Sequence, residues 1–264
     1  MSADVSARTV RQADGLDPVR ALQRVLYRSA KQDRTRRFHA LFDKVARSDV
    51  MWRAWVDVAT NQGAPGVDGV SIAGIEAGGV ESVRAFLDEL ARQLKAGTYR
   101  PKPLRRVNIP KPGKPGQTRP LGIPTIADRV VMTAAKIVLE PIFDADFYPV
   151  SFGFRPKRSA HQALEVVRQA ANGGRGWVLD ADIKACFDNI DHDALMAQVE
   201  RRVVDRHMLK LLRSWLRAGV FEGGVVSDTE AGTPQGSPVL PCSPTSPSTS
   251  SMRRGTGRNG AWER

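Results

Sequence analysis

The chain has 264 residues, 41% of them hydrophobic, which is enough for one large domain or two small ones with a real core. Its net charge of +12 and isoelectric point of about 10.3 indicate a polyanionic partner, most simply nucleic acid, without choosing between RNA and DNA. Two cysteines, Cys186 and Cys242, are too few for a disulfide framework or a zinc site. The N-terminus lacks the apolar core of a signal peptide and no apolar run is long enough to span a bilayer, so we expect a cytoplasmic protein.

Residues 1–60 are predicted to form a basic, helical N-terminal extension. Residues 1–19 are polar and aperiodic, whereas from Arg20 to Val58 apolar residues recur at three- and four-residue steps. Many of the positions between them are basic, namely Arg24, Arg28, Lys31, Arg34, Arg36 and Arg37. Such a helix face is either simply solvated or contacts RNA, and the residues alone leave both interpretations open.

The segment between Leu90 and Ala127 contains no acidic residue, nine Lys or Arg, and seven of the 17 prolines. Proline is excluded from helix interiors and central strands, so this segment is expected to be extended. Apolar residues within Arg106–Pro110 and Arg119–Pro124 predict two short paired strands around a GKPGQ tip. The alternative is a proline-rich linker.

Apolar spacing and capping residues predict further helices and a second hairpin, which together give an α+β fold class. The predicted elements are a helix Val83–Lys95 ended by Gly97, a helix Arg129–Leu139 after a Thr125/Asp128 capping box with a kink or break at Pro141, a helix His161–Ala171, a helical region from Asp191 or Asp193 to Leu216, and a hairpin Val220–Val226.

Two aspartates lie in a segment with strand character, Trp177–Ile183. Asp180 and Asp182 would share one face of this strand, because side chains alternate across a strand. Carboxylates in a strand suited to a core need a partner, and Mg²⁺ is one that prefers carboxylate oxygens. The alternative is a strand end at which both aspartates meet water.

The same aspartates open the segment Asp180–His192, DADIKACFDNIDH, which resembles the first catalytic motif of group II intron reverse transcriptases. Four further blocks resemble that family in its own order: NQGAPGVDGVSI (Asn61–Ile72), RPLGIPTIADRVVMTA (Arg119–Ala134), SFGFRPKRSAHQAL (Ser151–Leu164) and GTPQGSP (Gly232–Pro238). The resemblance implies the fingers (61–175) and part of the palm (176–238) of a right-hand polymerase. It implies an RNA-directed DNA polymerase with a maturase role.

By this resemblance Asp182 is the catalytic metal-ligand aspartate, and the backbone carbonyl of Ile183 is a second oxygen donor. The implied cofactor is Mg²⁺, which stabilises the attacking and leaving oxygens of phosphoryl transfer. Phe187 falls at the position of the steric gate that crowds a ribose 2′-hydroxyl. An ordinary core phenylalanine is the alternative for that residue.

The resemblance also implies residues for nucleotide and nucleic-acid binding. Lys111 and Arg119 would hold the phosphates of a deoxynucleoside triphosphate, with solvated loop charges as the alternative. Gln235 and Gly236 belong to the loop that faces the nucleotide and the templating base. Residues Arg155, Lys157 and Arg158 would contact the backbone of template or primer. The implied partners are intron RNA and an RNA template with a DNA primer.

After Pro238 the sequence departs from the family pattern. Residues 239–264 are rich in Ser, Pro, Arg and Gly and are predicted to be disordered, and no Asp-Asp dipeptide occurs in the 264 residues. Read one nucleotide out of frame, the codons of Cys242–Met252 are compatible with the apolar helix that follows in the family. We therefore hypothesise a frameshift after Pro238, with a short paralogue as the alternative. The chain itself is then an enzyme fragment, an RNA-binding fragment without catalysis, or a relic.

Overall fold

The computed structural model describes residues 17–111, 113, 116–181 and 189–227. Over these residues helices combine with one small sheet, in agreement with the predicted α+β class. The helices are α1 (Pro18–Gln32), α2 (Phe42–Val45), α3 (Ser48–Thr60), α4 (Ile72–Glu76), α5 (Gly79–Ala96), α6 (Ile126–Asp144), α7 (Ala160–Asn172), α8 (His192–Glu200) and α9 (Arg206–Leu216). The strands are β1 (Leu104–Pro110), β2 (Thr118–Ile123), β3 (Val220–Glu222) and β4 (Val225–Ser227). Within the described ranges, no helix has the length and apolar character needed to cross a membrane.

Helix α6 forms the centre of the hydrophobic core. Its apolar residues surround the helix, and Ile126, Val130 and Val138 are fully buried. A helix that is apolar on every side is stable only when other elements cover it. Helices α1, α2 and α3 pack against α6, so the N-terminal helices and the middle of the chain share one core.

Pro141 does not break α6, although the sequence predicts a kink or a break at this residue. The helix continues to Asp144, with Pro141 in its last turns. Proline has no backbone N–H, so it leaves the carbonyl of Ile137, one turn earlier, without its helical donor. The side-chain amide of Gln23 in α1 donates to that carbonyl at 3.2 Å. A neighbouring helix therefore satisfies the group that the proline leaves free.

The four strands form one sheet in the order β2-β1-β3-β4. Strands β1 and β2 pair antiparallel, with Ile109 opposite Arg119, which confirms the predicted hairpin. Strand β3 pairs parallel with the first residues of β1, where Leu104 lies opposite Val220, and antiparallel with β4. The predicted hairpin around Gly223 and Gly224 is thus joined to the base of the first one.

The helical region predicted to run from Asp191 or Asp193 to Leu216 is two helices. Asp191 caps α8, which ends at Glu200, and α9 begins at Arg206. Between them Val203 forms an isolated parallel bridge with Phe38, and the backbone N–H of Phe38 donates to the carbonyl of Arg202 at 2.8 Å. This long-range pairing keeps the backbone extended between α8 and α9. The spacing of apolar residues in the sequence does not show it.

The carboxylate of Asp205 connects the segment between α8 and α9 to the N-terminal helices. One carboxylate oxygen accepts the backbone N–H groups of His207 and Met208 at the start of α9, at 3.0 and 3.2 Å. The other accepts those of Leu41 and Phe42 at the start of α2, both at 2.8 Å. Burial raises the pKa of this carboxyl, but the four N–H donors outweigh burial and lower the pKa below its ordinary value.

We expect Asp205→Ala to lower the free energy of unfolding by about 3 kcal/mol at pH 7, because buried N–H groups lose a charged acceptor. A depressed folded-state pKa stabilises the fold above the unfolded-state pKa, near 4, and that contribution is lost as the pH falls through the folded-state value. Denaturant unfolding of the parent and of Asp205→Ala at pH 7 and pH 3 measures this. The difference in the free energy of unfolding between parent and variant should be smaller at pH 3 than at pH 7. An equal difference at both pH values would contradict this role of Asp205.

The predicted strand Trp177–Ile183 is wrong over the residues that the structure describes. Residues 177–181 have no regular secondary structure, and the side chains of Trp177, Val178 and Leu179 are 100%, 81% and 93% exposed. β-branched and apolar residues form a strand only where a neighbouring strand supplies backbone partners. Among the described residues no segment pairs with this one.

Candidate nucleotide and nucleic-acid site

The hairpin β1–β2 carries the two cations predicted to hold a triphosphate. Ile109 pairs with Arg119, and the backbone N–H of Lys111 donates to the carbonyl of Gln117 at 2.9 Å, which continues the ladder toward the tip. Because alternate residues of a strand share a face, Lys111 and Arg119 lie on one face as diagonal neighbours. Both are exposed, so the hairpin presents two positive charges to the same side.

The base of this hairpin is held by a buried polar cluster. The hydroxyl of Tyr99 donates to Asp128 at 2.6 Å, and that of Thr125 donates to the other carboxylate oxygen at 2.7 Å. The backbone N–H of Lys102 donates to Asp128 at 3.2 Å, and the indole N–H of Trp215 donates to the Tyr99 oxygen at 3.2 Å. The cluster thus links the chain entering β1 to the start of α6 and the end of α9.

Burial has the largest influence on the pKa values of Tyr99 and Asp128 in that cluster. It raises the pKa of the Asp128 carboxyl, and the hydrogen bonds from Tyr99, Thr125 and Lys102 offset the effect only in part. Burial and the neighbouring carboxylate raise the pKa of Tyr99 well above its ordinary value. The sequence identified Asp128 only as a capping residue. Its larger role depends on residues from two distant segments, which local spacing does not show.

The loop Asn61–Gly69 packs against the same region. The guanidinium of Arg129 donates to the carbonyls of Ala64 and Pro124, and Arg105 of β1 donates to the carbonyl of Pro65 at 3.0 Å. A Cβ atom at Gly66 would lie 2.6 Å from the backbone of Thr125, so only glycine allows this approach. The loop, the hairpin and the start of α6 therefore form one packed unit.

Five of the predicted site residues lie outside the described residues: Asp182, Ile183, Phe187, Gln235 and Gly236. Asp180, the neighbour of this group that is described, is exposed and has no regular secondary structure. Within the described part of the chain, no group of three or more His, Cys, Asp or Glu could hold a metal ion. The donors predicted for Mg²⁺, a carboxylate and a backbone carbonyl, are the oxygen ligands that this ion prefers.

Arg155 occupies a structural position. Its guanidinium donates to the carboxylate of Asp144 at 2.7 Å and to the carbonyls of Tyr148 and Ser151, both at 2.9 Å. The side chain is 8% exposed and lies over the ring of Phe147 at 5.0 Å. Because these bonds fix the loop after α6, the guanidinium does not fit the predicted contact with a template or primer backbone.

Lys157 and Arg158, the other two cations predicted to contact a nucleic-acid backbone, are exposed on the loop before α7. The guanidinium of Arg158 lies 5.4 Å from the ring of Phe152. Both side chains can therefore reach a polyanion from this loop, unlike Arg155.

Comparison with known protein families identifies the family of this chain. The family described as Reverse transcriptase (RNA-dependent DNA polymerase) matches residues 109–246, which is more than half of the chain. The chain belongs to the reverse transcriptase family. The match contains the hairpin tip, α6 and the segment Asp180–His192. The group II intron class, inferred from five sequence blocks, is confirmed.

The names of two curated relatives support this class. Group II intron-encoded protein LtrA of Lactococcus lactis subsp. cremoris is 34% identical over 226 residues, covering 86% of this chain and 37% of its own length. Protein YkfC of Escherichia coli (strain K12) is 36% identical over 226 residues, covering 83% of this chain and 58% of its own. Nuclear intron maturase 1 of Arabidopsis thaliana is 35% identical over 94 residues, which is 36% of this chain and 13% of that protein. The chain therefore spans only part of these relatives.

Among solved structures, the partial Cas6-RT-Cas1--Cas2 complex is similar, with a TM-score of 0.51 and 22% sequence identity. The alignment covers 76% of this chain and 33% of that one. This similarity supports the fold, a polymerase fingers and palm arrangement that combines helices with one small sheet.

Proposed function

We propose that the chain forms the fingers and part of the palm of an RNA-directed DNA polymerase encoded by a group II intron. The basic extension of residues 1–60 contacts intron RNA, residues 61–175 form the fingers, and residues 176–238 form the partial palm. The cytoplasm is its compartment. One observation carries the proposal: within the reverse transcriptase match, Lys111 and Arg119 project from one face of a hairpin whose base is fixed by buried hydrogen bonds.

Seven of the predicted site residues have defined tasks in this proposal. Lys111 and Arg119 bind the triphosphate, and the Phe187 ring excludes a ribose 2′-hydroxyl. Gln235 and Gly236 face the nucleotide and the templating base. Asp182 and the carbonyl of Ile183 would hold Mg²⁺, which when bound supplies positive charge for the attacking and leaving oxygens.

The hairpin assignment is tested by the double variant Lys111→Ala/Arg119→Ala in a chain whose frame is restored after Pro238. Each charge-assisted hydrogen bond to phosphate contributes about 1.5–3 kcal/mol, so KM for deoxynucleotides should rise by at least about tenfold. Steady-state primer extension at varied nucleotide concentration measures it. Arg92→Ala, an exposed cation of α5 that is paired with Glu89, is the control and should leave KM unchanged. An unchanged KM in the double variant would remove the hairpin from nucleotide binding.

A second candidate function is RNA binding without catalysis. The absence of an Asp-Asp dipeptide favours it, because the family takes its other metal ligands from such a pair. The net charge of +12 remains available for a polyanion in either case. A non-functional relic is the third candidate, and it predicts neither catalysis nor specific RNA affinity.

RNA binding by the 264-residue chain should weaken steeply as salt rises, because bound Lys and Arg release condensed counterions from RNA. We expect the logarithm of the association constant to fall linearly with the logarithm of the salt concentration. Fluorescence anisotropy with a labelled RNA at 50 to 200 mM KCl gives the slope. Flat affinity across this range would contradict binding through charge and would favour the relic.

A further inference from the structure

The hairpin β1–β2 is supported by the rest of the fold mainly at its base. Among the described residues, strand β3 pairs only with Leu104 and Arg105 at the start of β1, and Leu104 is buried. From there to the tip, the side chains of both strands are half-buried or exposed. Strands rise about 3.3 Å per residue, so Lys111 lies roughly 23 Å beyond Leu104. The base therefore sets the orientation of the cations near the tip.

One oxygen of the buried Asp128 carboxylate joins the two ends of this hairpin. Its Oδ2 accepts a hydrogen bond from the backbone N–H of Lys102, two residues before β1, at 3.2 Å. The same atom accepts one from the hydroxyl of Thr125, two residues after β2, at 2.7 Å. That hydroxyl in turn accepts the backbone N–H of Asp128 at 3.1 Å. A single buried atom thus holds the chain where it enters the hairpin and where it leaves.

The other oxygen of this carboxylate is bound to helices outside the hairpin. The hydroxyl of Tyr99 donates to Oδ1 at 2.6 Å. The backbone N–H of Tyr99 donates to the carbonyl of Gln93 in the last turn of α5, at 3.2 Å, which fixes the tyrosine. The indole N–H of Trp215 in α9 donates to the Tyr99 oxygen at 3.2 Å. Through Tyr99, the carboxylate that joins the hairpin ends is held by both α5 and α9.

A small change at this base has a large effect near the tip. A rotation of about 5° at the base moves a group roughly 23 Å away by about 2 Å, which is enough to break a hydrogen bond. Lys111 and Arg119 lie on one face of the hairpin, so such a rotation displaces both cations together. Cations that are in place before a ligand arrives bind it more tightly, because binding then needs no further ordering.

We propose that Asp128 and Tyr99 are positioning residues for nucleotide binding, which hold the hairpin in the orientation that directs Lys111 and Arg119 toward a triphosphate. Both positioning residues are buried and act through the hairpin rather than by touching the nucleotide. The inference rests on the proposed function of the hairpin and adds what controls its affinity. If the hairpin keeps its binding orientation only about a tenth of the time, apparent affinity falls about tenfold, in proportion to the competent fraction.

The test is Tyr99→Phe in the frame-restored chain, which removes one hydroxyl and keeps the buried ring. KM for deoxynucleotides should rise about tenfold, whereas kcat at saturating nucleotide should change by less than about twofold, because the bound triphosphate itself orders the hairpin. Steady-state primer extension measures both constants. Tyr148→Phe removes the hydroxyl of a half-buried tyrosine outside this cluster, and as the matched control it should leave both constants unchanged.

A second comparison separates positioning from general stability. In the Lys111→Ala/Arg119→Ala background, Tyr99→Phe should raise KM no further, because the cations that it positions are absent. The same fold-change in both backgrounds, an unchanged KM in Tyr99→Phe alone, or a lower kcat at unchanged KM would overturn the inference. An unchanged KM in Lys111→Ala/Arg119→Ala would instead contradict the proposed function of the hairpin.

Amide hydrogen exchange of the 264-residue chain tests the same point without catalysis. Tyr99→Phe should accelerate exchange in β1 and β2 at least about ten times more than in the middle of α6, because release of the base opens the hairpin locally. Equal acceleration in the hairpin and in α6 would show that the hydroxyl only stabilises the whole fold, and the positioning role would then be wrong.

Discussion

Asp182→Ala is expected to abolish primer extension by a chain whose reading frame is restored after Pro238. The first palm motif contributes one carboxylate to the metal pair, and the metals stabilise charge on both the entering and the leaving oxygen. Loss of one preorganised transition-state stabiliser typically costs 100- to 1,000-fold in rate, and a lost metal ligand should cost at least about that much. The measurement is the incorporation of labelled deoxynucleotides on an RNA template with a DNA primer.

Asp180→Ala is the matched control, because it removes a carboxylate two residues away in the same motif. Asp180 is exposed and has no metal role in the family pattern, so this variant should retain most of the activity. Comparable activity of Asp182→Ala and the restored parent would show that the motif has been assigned to the wrong chemistry. Loss of activity in both variants with intact folding would show that the motif tolerates no change, and would leave Asp182 without a distinct role.

Arg202→Ala is expected to destabilise the fold by about 3–5 kcal/mol, the largest stability effect that we predict. The guanidinium is 5% exposed, lies 3.2 Å from Asp146 as a charge contact, and donates to the carbonyls of Ala30, Asp33 and Arg34. Its removal takes a cation away from the buried Asp146 carboxylate and a charged donor away from the three carbonyls at the end of α1. Denaturant unfolding followed by circular dichroism measures the change.

Arg201→Ala provides the control, since the neighbouring side chain is exposed and bonds only to Gln198 among the described residues. It should change stability by less than about 0.5 kcal/mol. The double variant Arg202→Met/Asp146→Leu removes both charges and should recover much of the loss, because apolar replacement of a buried pair is often neutral. Equal losses for Arg201→Ala and Arg202→Ala would contradict the buried role of Arg202.

Local signals predicted much of the fold. Gly97, at a φ of 67°, ends α5 as expected, and Thr125 caps α6 by accepting the N–H of Asp128. The prolines before α6 predicted an extended segment, and the apolar residues within Arg106–Pro110 and Arg119–Pro124 predicted a hairpin. The register of that hairpin places Lys111 and Arg119 together. These features depend on residues that are near one another in the sequence, so local sequence patterns predict them.

Features that depend on distant residues could not be predicted. Asp205 and Arg202 interrupt a helical pattern because they bind the N-terminal helices, more than 160 residues earlier in the chain. Gln23 allows Pro141 to remain inside α6 by bonding a carbonyl that the proline leaves free. The segment at Trp177 has strand propensity, but the described residues give it no strand to pair with. Arg155 looked like a phosphate contact and is instead bonded to Asp144.

Primer extension by the 264-residue chain and by its frame-restored counterpart tests the central claim most directly. Both are incubated with Mg²⁺, deoxynucleotides and a DNA primer annealed to an RNA template. The proposed function predicts no measurable extension by the 264-residue chain, whose sequence lacks an Asp-Asp pair, and ready extension by the restored chain. Robust extension by the 264-residue chain, or none by a folded restored chain, would contradict it.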